Sequence, residues 1–230
     1  MEEWSIKEKV KCLVTGAAAN MIACVRSLNV RHAICIAHAL HLIVRKSFDD
    51  ISSFNDIRLK CRKLVTYFQT STTAKERLAQ VQEQMARPIL KLIIEVDIRW
   101  NSTYNMLERL YQLREPVGAA LACLRTDITP PTALEYEAVQ DPLHVLAPFH
   151  QATVELSAEK RVSASKVIPL MKMLNHMVTS KLEGLKSNST RQLGDSLVWK
   201  VTFGICWIAR LITVEGAQVL LLKWTDIYRK

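Results

Sequence analysis

The sequence predicts a small α/β layer followed by a mainly helical body, and three observations carry that prediction. Within the first 48 residues a short apolar run gives way twice to a stretch with helical spacing, the alternation expected of strand and helix in an α/β layer. Beyond about Thr73, apolar residues recur at three- and four-residue intervals and two segments have the spacing of a capping box. Pro88, Pro116 and Pro130-Pro131 then punctuate the chain at the ends of those stretches.

Taken in order, Val10 to Thr15 alternates and then turns continuously apolar, which suits a strand that becomes buried, and Gly16 ends it. Ala17 to Leu28 places Met21, Cys24, Val25 and Leu28 at helical spacing. Ala33 to Ala37 is a second short apolar run, and Ala39 to Phe48 carries Leu40, Ile43, Val44 and Phe48 on one stripe. Thr73 and Glu76 have the spacing of a capping box, opening a helix to about Arg87 that Pro88 closes. Leu90 to Val96, rich in Ile and Leu, reads as a strand. Asn101 or Ser102 offers an N-cap for a helix bearing Met106, Leu107, Leu110 and Leu113, with a kink or break at Pro116. Thr132 and Glu135 form the second capping-box match, and Ser165 to Leu185 reads as a helix with Val167, Leu170, Met171, Leu174 and Val178 on its apolar face. Gly184 to Gly194 reads as a loop.

The chain has 230 residues, 49% of them hydrophobic, enough to bury one substantial core or two small ones. Lys and Arg outnumber Asp and Glu by 31 to 22, and a formal charge of +9 favours contact with polyanions. The six cysteines lack the repeated spacing of a secreted disulfide framework, and no signal peptide is visible at the N-terminus, so cytosol or nucleus is expected. The apolar stretch from Val198 to Trp224 is interrupted by Lys200, Arg210, Glu215 and Lys223, which argues against a membrane span.

Several strings bear a family likeness. Thr15-Gly16-Ala17-Ala18-Ala19-Asn20-Met21 resembles the "T-D-N-A-A-N-M" of hAT transposases, with Gly16 in the place of the Asp. Cys35-Ile36-Ala37-His38-Ala39-Leu40-His41-Leu42 is similar to the family's "C-x-x-H-x-L-N-L", and Asp97-Ile98-Arg99-Trp100-Asn101-Ser102-Thr103 to its "D-x-R-W-N-S-T". Lys160 to Leu170 resembles the corresponding stretch of relatives that carry a BED zinc finger. In order and spacing the set resembles the middle of a hAT transposase-derived protein of the zinc finger BED domain-containing kind, over about Trp4 to Leu197.

That resemblance implies a partial ribonuclease-H-like core, short of its N-terminal strands, with a large helical insertion. The expected division is residues 1–50 for the partial core, 51–197 for the helical region and 198–230 for a divergent apolar tail. It implies a nuclear, transposable-element-derived protein that binds DNA or regulates transcription. The alternatives are a decayed fragment that serves only as a protein-interaction module, or a transposase that needs further segments.

A ribonuclease-H-like active site clusters carboxylates to hold two divalent ions, and Gly16 cannot contribute one, so no strand-cutting or joining is expected. Glu95 and Asp97 are carboxylates on one face of the predicted strand, without the rest of a cluster. By resemblance, Gly16, Asn20, Cys35 and His38 mark the neighbourhood of the former active site. Cys35 and His38 amount to half a zinc-ligand pattern, with His32 and His41 nearby, and no second pair follows, so neither a metal nor another cofactor is expected.

For DNA the candidates are Arg99, Trp100, Arg58 and Arg62. A guanidinium forks to a phosphate while an indole stacks on an unpaired base, although a Trp at such a junction serves equally as core. Arg58 and Arg62 lie four apart and on a helix would face one way, either along a phosphate backbone or into solvent. The expected binding is weak and largely non-specific, with protein partners and the oligomeric state left open.

Overall fold

The computed structural model describes residues 9–10, 12–16, 18–157, 164–182 and 188–213. Strand β1 (Leu13–Thr15) pairs in parallel with β2 (His32–Ile34), Leu13 opposite His32 and Thr15 opposite Ile34. Helix α1 (Ala19–Ser27) makes the crossover that a parallel pair requires. It ends where Asn29 takes a φ of 49°, a left-handed conformation that Asn tolerates better than most residues. The described strand is shorter than the apolar run at Val10 to Thr15. No third strand joins the sheet among the described residues, and Val14 is 62% exposed.

Helix α2 (Ile36–Asp49) buries Leu40, Ile43, Val44 and Phe48, the stripe that its spacing predicts. Helix α3 (Ser52–Thr70) buries Phe54, Cys61, Leu64, Val65 and Phe68. Helix α4 (Thr72–Gln84) is capped two residues earlier than the Thr73–Glu76 spacing suggests, because Ser71 is the cap and its hydroxyl accepts from the Ala74 amide at 3.2 Å.

Residues 88–99 correct a second expectation. Leu90 to Val96 is not a strand, because helix side chains rather than a neighbouring strand meet its backbone. Gln82 engages both the amide and the carbonyl of Leu90, at 2.9 and 3.2 Å. Gln69 donates to the Leu92 carbonyl, Arg109 to that of Lys91 at 2.9 Å, and the Ser102 hydroxyl bonds the Val96 amide and carbonyl.

Helix α5 (Trp100–Gln112) has Arg99 as its N-cap, not Asn101 or Ser102. The break before α6 (Arg114–Ala122) falls at Leu113, and Pro116 sits in the first turn of α6, where its missing amide costs no hydrogen bond. Helix α7 (Ala133–Leu156) opens with the predicted box: the Glu135 amide donates to Thr132 Oγ1 at 3.2 Å and the Thr132 amide to Glu135 Oε2 at 2.7 Å. Helix α8 (Val167–Leu182) follows a 3₁₀ turn at Ala164–Lys166, close to the expected span.

Helix α9 (Asn188–Thr213) overturns the loop expected over 184–194 within the described residues. Gly194 lies against Leu182 of α8, so the residue that signals a turn in sequence is here a close helix contact. Leu193, Leu197 and Val201 are buried, and so is Lys200, whose ammonium reaches Ser47, Asp50 and Ser196 at 3.0, 2.8 and 2.7 Å. The helix thus crosses the expected boundary at 198 without interruption. One apolar cluster runs from Leu40 on α2 to Val201 on α9, so α2 packs as part of the helical body as well as ending the α/β layer. No described helix is long and apolar enough to cross a membrane. The apolar stretch beyond residue 213 to Trp224, and residues 160–163 of the Lys160 to Leu170 likeness, lie outside the described residues.

Candidate nucleic-acid interface

The site begins on α3, where helical geometry brings Arg58 and Arg62 to one face as their spacing requires. Opposite them the chain from Ile94 to Ile98 alternates. Glu95 and Asp97 turn toward α3, whereas Ile94, Val96 and Ile98 are exposed. Arg58 Nη1 donates to Glu95 Oε1 at 2.6 Å, and the Thr103 hydroxyl donates to the same oxygen. Arg62 forks onto Asp97, with Nη2 to Oδ2 at 3.0 Å, and its Nε lies 3.9 Å from Glu95 Oε2. That hydrogen bond from Arg62 holds the Asp97 carboxyl below the usual carboxylate range and raises the guanidinium in turn.

This arrangement changes the reading of both arginines. Instead of lying free along a phosphate track, they neutralise the two carboxylates that precede α5. The same bonds account for Glu95 and Asp97, which the sequence presents as unexplained acids on one face.

Trp100 needs a sharper correction. It is 2% exposed, and Tyr104 and His150 meet its ring edge-on, with centroids 6.5 and 6.3 Å away. No ring face is open to an unpaired base, so in this structure the indole is core. Its burial is what fixes its neighbour: Arg99 stands exposed at the N-cap of α5, directly after the exposed Ile98, and its guanidinium has no partner among the described residues. Of the four residues expected at DNA, Arg99 is the one the fold leaves available.

The residues that the family likeness groups around an active site, Gly16, Asn20, Cys35 and His38, lie between the end of β1 and the first turn of α2. A Cβ at Gly16 would sit 3.6 Å from the His38 ring, so any side chain at this position would face that imidazole. His38 is exposed, and its ring stacks on His41 with centroids 6.0 Å apart. Cys35 is the N-cap of α2, its amide bonded to the Thr15 carbonyl at 2.8 Å, while Asn20 is exposed in the first turn of α1. His32 bonds Thr15 across the strand pair at 2.7 Å, and burial lowers its pKa, with Arg26 adding to the effect. Among the described residues no group of three or more His, Cys, Asp or Glu side chains is placed to hold a metal ion.

One contact between two of these segments escaped the sequence reading. His41 Nδ1 accepts the Trp100 amide at 3.2 Å and so ties α2 to the start of α5. The signal was present in the substitution of His41 for the Asn of the "C-x-x-H-x-L-N-L" string.

Residues 33–144 match the family model of the ZBED1 RNase-like helical domain. Human (Homo sapiens) zinc finger BED domain-containing protein 4 is 27% identical over 171 residues, which cover 73% of this chain and 14% of that protein. Zinc finger BED domain-containing protein 6 is 23% identical in Homo sapiens and 24% in Mus musculus over 172 residues, covering 73% of this chain and 16% of each. The chain therefore spans well under a quarter of the length of these relatives.

Proposed function

From residues 33–144, which carry the ZBED1 RNase-like helical domain, and from the relation of the chain to zinc finger BED domain-containing proteins, we propose a DNA-backbone-binding module of a nuclear, transposase-derived protein. In this reading it acts in transcription regulation without cutting or joining strands. The observation that carries it is Arg99: exposed, without a partner among the described residues, and held on a turn fixed by the buried Trp100. A formal charge of +9 supports it, because neutralising phosphates releases counterions and draws such a chain to nucleic acid. Gly16 supports the lack of cleavage, since the position that the family likeness gives to an acid faces His38 with no side chain. Phosphate contacts position a protein without reading bases, so sequence preference is slight.

The test is fluorescence anisotropy with a 20-base-pair duplex and a gapped duplex between 50 and 300 mM salt. Affinity falls steeply with salt, and Arg99→Ala weakens both forms alike with a shallower slope. Absence of binding at the lowest salt overturns this reading and favours the second one, a protein-interaction module. That alternative has its own observation, the exposed row of Ile94, Val96 and Ile98, at 46%, 46% and 74%.

A further inference from the structure

We propose that His41 is a proton-sensitive latch, closed when its imidazole is neutral, that holds the Arg99–Trp100 turn in register with α2. Only the consequence for DNA rests on the function proposed above; the latch itself stands on the geometry.

The first amides of a helix have no partner within it. The cap residue of α5 is Arg99, whose side chain has no oxygen to offer, and no side-chain cap bond is made there. His41 from α2 fills that role by accepting the Trp100 amide on Nδ1. An imidazole accepts on Nδ1 only when that nitrogen carries no proton, so the closed latch contains the neutral, Nε2-protonated tautomer. A second proton would turn the acceptor into a donor facing a donor, and would set a cation at the positive end of the helix dipole.

Among the described residues no acid adds to the charge that His41 feels. On α2 itself His38 stacks on His41 and Arg45 lies close enough to repel a proton on it. On α3 stand Arg58 and Arg62, which already take Glu95 and Asp97. On α5 the neighbour is Arg99, on α7 it is His150 against the Trp100 ring, and the charged group of α9 that reaches α2 is Lys200, bonded to Asp50. Burial first, then His38 and Arg45, hold the His41 pKa below its ordinary 6.5. An opened latch returns the imidazole toward that ordinary value. Opening therefore becomes easier as pH falls below about 6.5.

The experiment uses the full 230-residue chain and compares the parent with His41→Asn, whose amide oxygen can accept the same bond without titrating. Hydrogen exchange of the Trp100 amide is followed from pH 7.5 to 5.0 as a protection factor, which removes the intrinsic pH dependence. In the parent, protection falls by up to about tenfold per pH unit between the closed and open pKa values, and in His41→Asn it stays flat. Equal protection at both ends of the range in the parent, or an equal loss in the variant, overturns the latch. Should the variant fail to fold, nitrogen NMR of the parent decides: the latch requires Nε2–H on His41 at pH 7.5, and an Nδ1–H tautomer refutes it.

The DNA arm measures the ratio of parent to Arg99→Ala affinity for the gapped duplex at pH 7.5 and 5.5, so that bulk charge effects cancel. The ratio shrinks at pH 5.5 with His41 and holds with Asn at that position. If no chain binds DNA while Trp100 protection titrates as expected, the DNA reading fails and the latch stands. If DNA binds but neither protection nor ratio responds to pH, the latch fails and the DNA reading stands.

Discussion

Arg58 and Glu95 form an ion pair of 2.6 Å whose carboxylate is 1% exposed and whose guanidinium is 15% exposed. Glu95 Oε2 has no hydrogen-bond partner, so the pair is incompletely satisfied and depends on Arg58, Thr103 and the more distant Arg62. Glu95→Ala should strand the Arg58 guanidinium and cost about 3 kcal/mol, the lower end of the range for breaking a buried pair, because Arg58 keeps some access to water. Arg58→Met with Glu95→Leu should recover much of that loss. Urea unfolding of Arg58→Met, Glu95→Leu and the double provides the check, and an additive double mutant would mean that the two residues do not act as a pair.

The buried ring of Trp100 makes a prediction that separates stability from binding. Trp100→Ala should cost about 3–5 kcal/mol by opening a cavity between α5 and α7, and Trp100→Phe much less. At temperatures where each variant is folded, anisotropy should give both the same preference between gapped and intact duplex as the parent. A selective loss on the gapped form would return the indole to a stacking role.

How far the sequence reveals this structure depends on where each signal resides. The α2 stripe and the Thr132–Glu135 box are local patterns, and local patterns survive folding. The nature of residues 90–96 is not local: Ile and Leu give it strand composition, but Gln69, Gln82, Arg109 and Ser102, from three helices, supply the bonds that a neighbouring strand would have made. Helix α3 carries its Arg58–Arg62 spacing plainly, yet its full extent is set by packing of Phe54, Leu64 and Phe68. The roles of Arg58, Arg62 and Trp100 likewise depend on partners 35 or more residues away, as the contacts with Glu95, Asp97 and His150 show. Arg99 is a candidate in the sequence, but its place at the cap of α5, which the spacing gives to Asn101 or Ser102, depends on the burial of Trp100.

Lys200 tests whether α9 is integral to the fold beyond residue 197. Its ammonium is buried among Ser47, Ser196 and the half-exposed Asp50. Lys200→Ala should lower stability by about 1–2 kcal/mol, discounted for the exposure of Asp50, through the loss of charged hydrogen bonds. Limited proteolysis should then cut earlier within α9 than in the parent. An unchanged cleavage pattern and urea midpoint would make residues past Leu197 an appendage.

Stability should also fall on mild acidification. Burial is the leading cause of the lowered pKa values of His32, His41 and His150, to which Arg26 contributes for the first, His38 and Arg45 for the second, while Glu108 opposes it for the third. Folded values below the unfolded one mean that the unfolded chain binds more protons just under pH 6.5, so stability is full above that value and declines as pH drops through the folded values. Asp97 and Glu135, with pKa values lowered below the carboxylate range, lose their contribution only at far lower pH. The urea midpoint should therefore be lower at pH 5.5 than at 7.5, and the gap should narrow in His41→Asn. A midpoint that rises on acidification would contradict the assignment of neutral histidines.

The contact between Gly194 of α9 and Leu182 of α8 gives the last prediction. A Cβ at Gly194 would lie 2.1 Å from Leu182 Cδ2, 3.1 Å from Cγ and 3.3 Å from Cδ1, so the whole end of Leu182 must move. Replacing a helical glycine by alanine normally gains about 1 kcal/mol, and overpacking of a contact costs about 1–3 kcal/mol. Because Leu182 is packed against the core, it cannot swing freely into solvent, and the second effect wins. Gly194→Ala should destabilise the chain by about 1 kcal/mol. In a Leu182→Ala background the same substitution should become neutral or stabilising, since the obstacle is gone and the helical gain remains. A double-mutant cycle in urea reads the sign directly: a stabilising Gly194→Ala in the parent would mean that α8 and α9 are farther apart than this contact requires.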